Sequence, residues 1–175
     1  MNRISLVVIC SLLASPAIGE TAGEKTGVNS ALGIAPTTND FVQEAAISDM
    51  FEIQSSKVAS TKLSGPEKNF ADQMVTDHTK TSAELSAGAT GANVPLPTAM
   101  DSSHQKMLDK LNSLSGDDFR KQYFSDQVSA HKDAVSLFER YGKGGDNPKL
   151  KDWASTTLPT LKHHLEMAQG LYKNT

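Results

Sequence analysis

Helical periodicity is the feature that most limits what this chain can fold into. From residue 37 onward, apolar residues recur at intervals of three or four, which is the spacing of one face of an α-helix. No segment in this part alternates with period two for long enough to predict a strand. The breaks between the periodic segments contain glycine, proline, serine or asparagine, which end or cap helices. The sequence therefore predicts an all-α chain.

Four long helices and one short helix are predicted, and the short one lies in the connection between the second and third long helices. Each long helix is amphipathic and must bury one face against others, which favours one four-helix bundle. The predicted ranges, in chain order, are about 39–63, 65–88, 98–114 (the short helix), 118–141 and 149–172.

The start of the chain has the pattern of a secretory signal peptide. Arg3 provides a positive charge, residues 4–14 are apolar, and residues 17–19 include the small residues that precede signal-peptidase cleavage. The alternative, a membrane anchor, is disfavoured because about 11 apolar residues are too few to span a bilayer. Export to the periplasm or cell envelope is therefore expected. The predicted divisions are a signal peptide at 1–19, a disordered or extended lead-in at 20–36, and a helical-bundle domain at 37–175.

Composition disfavours cysteine chemistry and nucleic-acid binding. Cys10 is the only cysteine and lies within the predicted signal peptide, so the processed chain would have no thiol for a disulfide, a metal or catalysis. The full chain has a net charge of −3 and no block of lysine or arginine, which disfavours nucleic acid and anionic membranes as partners. No segment after residue 19 is apolar enough to predict a membrane span. An envelope protein or a small molecule is the expected kind of partner.

Polar residues interrupt the apolar faces of the four long helices near their middles. His78, His131 and His164 do so on the second, third and fourth helices, and Glu52 takes the corresponding place on the first. Neutral imidazoles and a carboxylate are ligands for Fe, Mn, Zn or Cu, and bundle cores are where such sites are built. These four residues are the predicted metal ligands, with Asp77 supporting them from outside. The alternative is a buried polar network in which each histidine only bonds to its neighbours.

The adjacent pair His163-His164 is predicted to contain one inner and one outer residue. Neighbouring residues on a helix point about 100° apart, and only His164 continues the apolar line of its helix. No catalytic residue and no organic cofactor site are predicted. The sequence contains no Gly-rich phosphate loop, Gly-x-Ser-x-Gly elbow or His-Glu-x-x-His motif.

Four segments together resemble a family of exported bacterial proteins that have no settled biochemical function. The resemblance covers about residues 37 to 173 and implies a ferritin-like helical bundle located in the periplasm or envelope. Members are often labelled as outer membrane proteins, and the family pattern places a histidine at His164 and a variable polar residue at His163. The segments are TNDFVQEAAISDMFEIQSSKVAS, FADQMVTDHTKTSAEL, FRKQYFSDQVSAHKDAVSLFERY and LKDWASTTLPTLKHHLEMAQGL.

The spacing of the inner residues disfavours the di-iron centre that a ferritin-like fold would suggest. Di-iron bundles place a glutamate three residues before a histidine on two helices. The residues three before the inner histidines are Val75, Val128 and Leu161. We therefore expect an exported, non-enzymatic binding or stress-related protein, and the alternative is a metal-binding protein with a His/Glu site in the bundle core.

Overall fold

The structure, a computed structural model, describes residues 21–25 and 27–175, and these form an all-α bundle with no strand among them. Residues 1–19, predicted to be a signal peptide, lie outside the described residues. Within the described part, no helix has the length and apolarity needed to cross a membrane. The helices are α1 Ala22–Lys25, α2 Val28–Leu32, α3 Thr38–Lys62, α4 Gly65–Ala92, α5 Ser102–Ser113, α6 Gly116–Gly144 and α7 Pro148–Tyr172.

Two helical hairpins build the bundle. α3 and α4 pack together across a two-residue turn, and α6 and α7 pack together across a three-residue turn. α3 also packs on α6, and α4 packs on α7, which closes the four-helix arrangement predicted from the sequence. The short helix α5 lies in the connection between α4 and α6 and packs against α3 and α6.

Short polar side chains and glycines set the helix starts. The side chain of Thr37 accepts a hydrogen bond from the Asp40 backbone N–H, and the side chain of Asn147 accepts one from the Leu150 backbone N–H. Gly116 begins α6 at a φ of 57°, a left-handed conformation that glycine adopts without strain. These local signals explain why the existence and order of the long helices were predictable.

Two glycines that were read as helix ends lie inside helices instead. α4 continues past Gly88 to Ala92, and α6 continues past Gly142 to Gly144. A Cβ atom at Gly88 would lie 2.6 Å from Leu150 Cδ2, and one at Gly142 would lie 2.8 Å from Ser155 Oγ. Both glycines therefore permit α7 to approach its neighbours closely, which is a packing role that periodicity alone does not reveal.

The lead-in at 20–36, predicted to be disordered or extended, contains the helices α1 and α2. Arg140 of α6 holds this segment by donating from Nη2 to Glu24 Oε1 and from Nη1 to the Ile34 carbonyl oxygen, the latter at 2.8 Å. Glu24 and Arg140 are both buried, so their charges are largely shielded from water. This ion pair joins residues 116 positions apart. The N-terminal segment itself has little apolar periodicity, so its sequence does not reveal the contact.

The apolar core consists of two separate clusters. One contains Phe41, Phe138 and Leu150 together with their neighbours, and the other contains Phe51, Met74 and Phe124 together with theirs. Along α4, α6 and α7 the residues between the two clusters are the three inner histidines. The bundle thus has a polar layer across the middle of its core.

Candidate metal centre

Three imidazole rings form a nearly equilateral triangle in the polar layer. The ring centroids of His78, His131 and His164 are 5.4 to 5.5 Å apart. Each residue is at most 3 % exposed. One potential ligand atom from each histidine lies within 4.8 Å of the others, so the three side chains could hold one metal ion. The sequence places each of these histidines near the middle of its helix but leaves their relative level open, and the structure brings the three together.

Each ring is held by a hydrogen bond on its outer side. His78 Nδ1 lies 2.7 Å from Asp49 Oδ1, and His131 Nδ1 lies 2.9 Å from the carbonyl oxygen of Gln127. His164 Nε2 lies 3.0 Å from Asp77 Oδ2. Because carboxylate and carbonyl oxygens only accept, each of these ring nitrogens must carry the hydrogen. In a neutral ring the opposite nitrogen then has a free lone pair.

The opposite nitrogens are His78 Nε2, His131 Nε2 and His164 Nδ1. All three are buried and have no hydrogen-bond partner within residues 21–25 and 27–175. A buried polar atom without a partner costs roughly 1–3 kcal/mol. In a histidine that binds a metal, the other ring nitrogen characteristically donates a hydrogen bond to a carboxylate or carbonyl oxygen. This bond fixes the tautomer and the orientation of the ring. The donor set therefore suits a metal ion.

Asp49 is a functional candidate that the sequence reasoning missed. Its carboxylate also accepts hydrogen bonds from the hydroxyls of Thr81 and Ser82 on α4, at 3.0 to 3.1 Å. Asp49 precedes Glu52 by three residues on α3, so it lies on the same helical face and the spacing could have identified it. Asp77, predicted to support the ligands from outside, contacts His164 across the α4–α7 interface.

Glu52 lies beside the triangle. Its Oε1 is 3.7 Å from His131 Nδ1, the nitrogen that faces Gln127, and Glu52 does not belong to the group of mutually close ligand atoms. Burial raises the pKa of Glu52 to about 7, while the nearby His78 and the Gln127 amide oppose the rise. Both carboxylate oxygens lack a hydrogen-bond partner in the part of the chain that the structure describes. A role for Glu52 as a direct ligand stays a prediction.

The electrostatics distinguish the three histidines. Burial, with further contributions from neighbouring histidines, lowers the pKa of His131 to about 3 and that of His164 to about 4. Burial also disfavours charge on His78, but the hydrogen bond and charge of Asp49 outweigh it and raise the His78 pKa. The rings of His131 and His164 are therefore neutral at pH 7, which is the form of imidazole that binds metals.

The two remaining histidines are apart from this cluster. His163 is exposed on the outer side of α7, as its position in the sequence predicts, whereas His164 is buried. His104 lies on α5, where its Nδ1 is 2.9 Å from Asp101 Oδ2. Neither belongs to the triangle.

Comparison with known proteins identifies a family and a fold. The chain belongs to the family described as "Domain of unknown function (DUF4142)", whose model matches residues 23–171. The fold is similar to the solved structure titled "CopM in the Cu(II)-bound form", with a TM-score of 0.68 and 17% sequence identity. That similarity covers 81% of this chain and 99% of the other. A search of curated proteins found no match to the sequence.

Replacing Asp49 tests whether its carboxylate holds the polar layer together. In metal-free protein we expect Asp49→Ala to lower the free energy of unfolding by about 3 kcal/mol, because the buried His78 ring and two half-buried hydroxyls lose their acceptor. Urea denaturation followed by circular dichroism measures the change. The matched control is Glu166→Ala, an exposed carboxylate on α7 whose removal should change stability little. Equal stability of the two variants would contradict this role.

Proposed function

We propose that this protein binds one transition-metal ion between the imidazoles of His78, His131 and His164, with copper(II) as the first candidate. The observation that carries the proposal is the cluster of three buried imidazoles, which offer ligand atoms within 4.8 Å of one another and each have one ring nitrogen without a partner in the described residues. The proposal is one of binding, and it assigns no reaction to the protein.

A buried polar network explains the arrangement less well than a metal ion does. Such a network is stable when each buried polar group has a partner. Here the outer ring nitrogens have partners, but the three inner ones have none among the described residues. The rings of His131 and His164 are neutral at pH 7, so their inner nitrogens are acceptors, and the inner nitrogen of His78 becomes an acceptor when that ring is deprotonated. A cation satisfies the three lone pairs at once.

Copper is the first candidate because of the ligand chemistry and the fold. Three neutral imidazoles suit copper, zinc, iron and nickel, and the general order of affinity among these divalent ions is highest for Cu(II). The similar fold of a protein solved in its Cu(II)-bound form supports this choice. Iron, manganese and zinc, which the sequence also allowed, are tested by the same measurements.

Carboxylates around the rings provide the charge that a bound dication needs. Three neutral imidazoles leave the full positive charge of the ion uncompensated, which is costly in a buried site. Asp49 and Asp77 are hydrogen-bonded to two of the rings, and Glu52 lies next to the third. We propose that Glu52 stabilises the bound ion, either as a fourth ligand or through a water molecule on the ion.

The adjacent histidines of α7 provide a matched test of metal binding. Protein prepared without a histidine tag should retain one equivalent of copper per chain after desalting, measured by mass spectrometry of the metal. His164→Ala should lose most of it because one of three ligands is removed, whereas His163→Ala should retain it. Circular dichroism of both variants checks that the bundle is folded. A wild-type protein that cannot be loaded, or equal loss in both variants, would sink the proposal.

Replacing Glu52 tests its contribution to affinity. We expect Glu52→Gln to keep the one-to-one stoichiometry but weaken copper binding by about 10- to 100-fold, the usual effect of changing a group that supports a metal site. Competition with a chelator of known affinity measures the dissociation constant, and electron paramagnetic resonance of Cu(II) reports its nitrogen ligands. Glu166→Gln, an exposed change on α7, is the control. Wild-type affinity in Glu52→Gln would remove Glu52 from the site.

We also propose that the protein is exported and acts in the cell envelope, which rests on the pattern of residues 1–19. Expression of the full chain in a bacterial host should give a product in the envelope fraction with the mass of a chain that begins at Glu20. Intact-mass spectrometry after cell fractionation makes the measurement, and substitution of the apolar residues 4–14 by polar ones is the control that should block export. A full-length product confined to the cytosol would contradict export.

A further inference from the structure

A polar cleft opens to the surface between α4 and α7, on the outer side of the metal centre. It has a volume of about 300 Å³. Asp77, whose Oδ2 is 3.0 Å from His164 Nε2, is among its lining residues, and its side chain is 31% exposed. One carboxylate therefore contacts both a proposed metal ligand and the solvent-filled cleft. The cleft is lined by Asp77, Lys80, Thr81, Glu84, Thr156, Thr157 and Thr160.

A small inner cavity shares two lining residues with this cleft and reaches His78 of the metal centre. Its volume is about 10 Å³, which is room for about one water molecule. His78 and Asp49 line the inner cavity, and Thr81 and Thr157 line both the inner cavity and the cleft. These two threonines thus form the partition between the open cleft and the inner cavity beside His78.

We infer that the metal ion reaches the three imidazoles through the α4/α7 cleft, past Thr81 and Thr157. This route rests on the proposed function. Along it, Asp77 and Glu84 attract the cation, and the two threonines line the passage to the inner cavity. Threonine hydroxyls can replace part of the hydration shell of an entering ion, since oxygen atoms are acceptable ligands for divalent cations.

Charges at the mouth of the cleft modulate the approach of a cation. Glu84 lies 3.7 Å from Lys80 Nζ and also accepts a hydrogen bond from Trp153 Nε1 at 2.9 Å. Lys80 is exposed, so its positive charge repels an incoming cation while Glu84 and Asp77 attract it. These effects act on the rate of association and weaken as salt is added.

A second route to the inner cavity, from the α3/α6 side, is less suited to a metal ion. There the inner cavity borders a surface cavity of about 360 Å³ through Ser48, Ala134 and Leu137. Carboxylates line that surface cavity too, among them Glu44, Asp101 and Asp133, but two of the three shared residues are apolar and offer no ligand to a partly dehydrated cation. The residues shared with the α4/α7 cleft both carry hydroxyls, and Asp77 connects that cleft directly to His164.

Obstructing each route separately tests the inference. Thr157→Leu narrows the passage from the α4/α7 cleft, and Ala134→Leu is the matched control that narrows the passage from the α3/α6 side. Quenching of Trp153, the only tryptophan in the chain, follows Cu(II) uptake in a stopped-flow experiment. We expect Thr157→Leu to slow uptake and release alike by about tenfold, with an unchanged dissociation constant, and Ala134→Leu to change neither. Slowing in Ala134→Leu but not in Thr157→Leu, or in neither, would overturn the route.

Substitutions of exposed charged residues provide a second test that does not place a larger side chain in the core. Lys80→Gln should raise the uptake rate and Glu84→Gln should lower it, each by a few-fold at low salt, and the differences should shrink as salt is added. Equal rates in both variants at low salt would contradict the assigned mouth of the route. A wild-type protein that takes up no copper would overturn the proposed function and the route together. If the wild-type protein binds copper, but Thr157→Leu, Lys80→Gln and Glu84→Gln all have its affinity and its rates of uptake, the route alone is overturned.

Discussion

The outward hydrogen bond of each inner histidine is the constraint on which the rest of the structure depends. Asp49, Asp77 and the Gln127 carbonyl oxygen fix the three rings so that their other nitrogens converge in the middle of the core. A layer of this kind contributes little hydrophobic stabilisation where a bundle normally has most. The two apolar clusters on either side must therefore supply it, which accounts for the fully buried aromatic side chains in both.

The fixed rings also require a fixed spacing between the helices that carry them. α7 provides His164 and must approach α4 and α6 closely enough to complete the triangle. Gly88 on α4 and Gly142 on α6 permit that approach, because a side chain at either position would collide with a residue of α7. The imidazole layer and the two glycines thus depend on the same close approach of α7, although each glycine lies about three turns along its helix from the histidine.

The sequence was most informative where structure depends on short-range periodicity. The helices, their order and the inward direction of His164 rather than His163 all follow from residue spacing within a few turns. Contacts between helices were less accessible: Asp77 lies next to His78 in the chain but bonds to His164, and the Glu24–Arg140 pair that orders the N-terminal segment joins distant residues. Asp49 was detectable in principle, since it shares a helical face with Glu52, yet only the fold shows that it reaches His78.

A preorganised, buried centre has a consequence for how such a protein would exchange its metal. Rings already held in the binding orientation lose little conformational entropy when an ion arrives, so affinity is gained without rearrangement. The same burial excludes water, so an ion can leave only where protein oxygen atoms along its path replace the imidazole ligands. The hydroxyls and carboxylates between His78, His164 and the α4/α7 cleft are the described groups placed to offer them. Under the proposed function, affinity would therefore depend on the imidazole layer, and exchange rates would depend on the threonine partition.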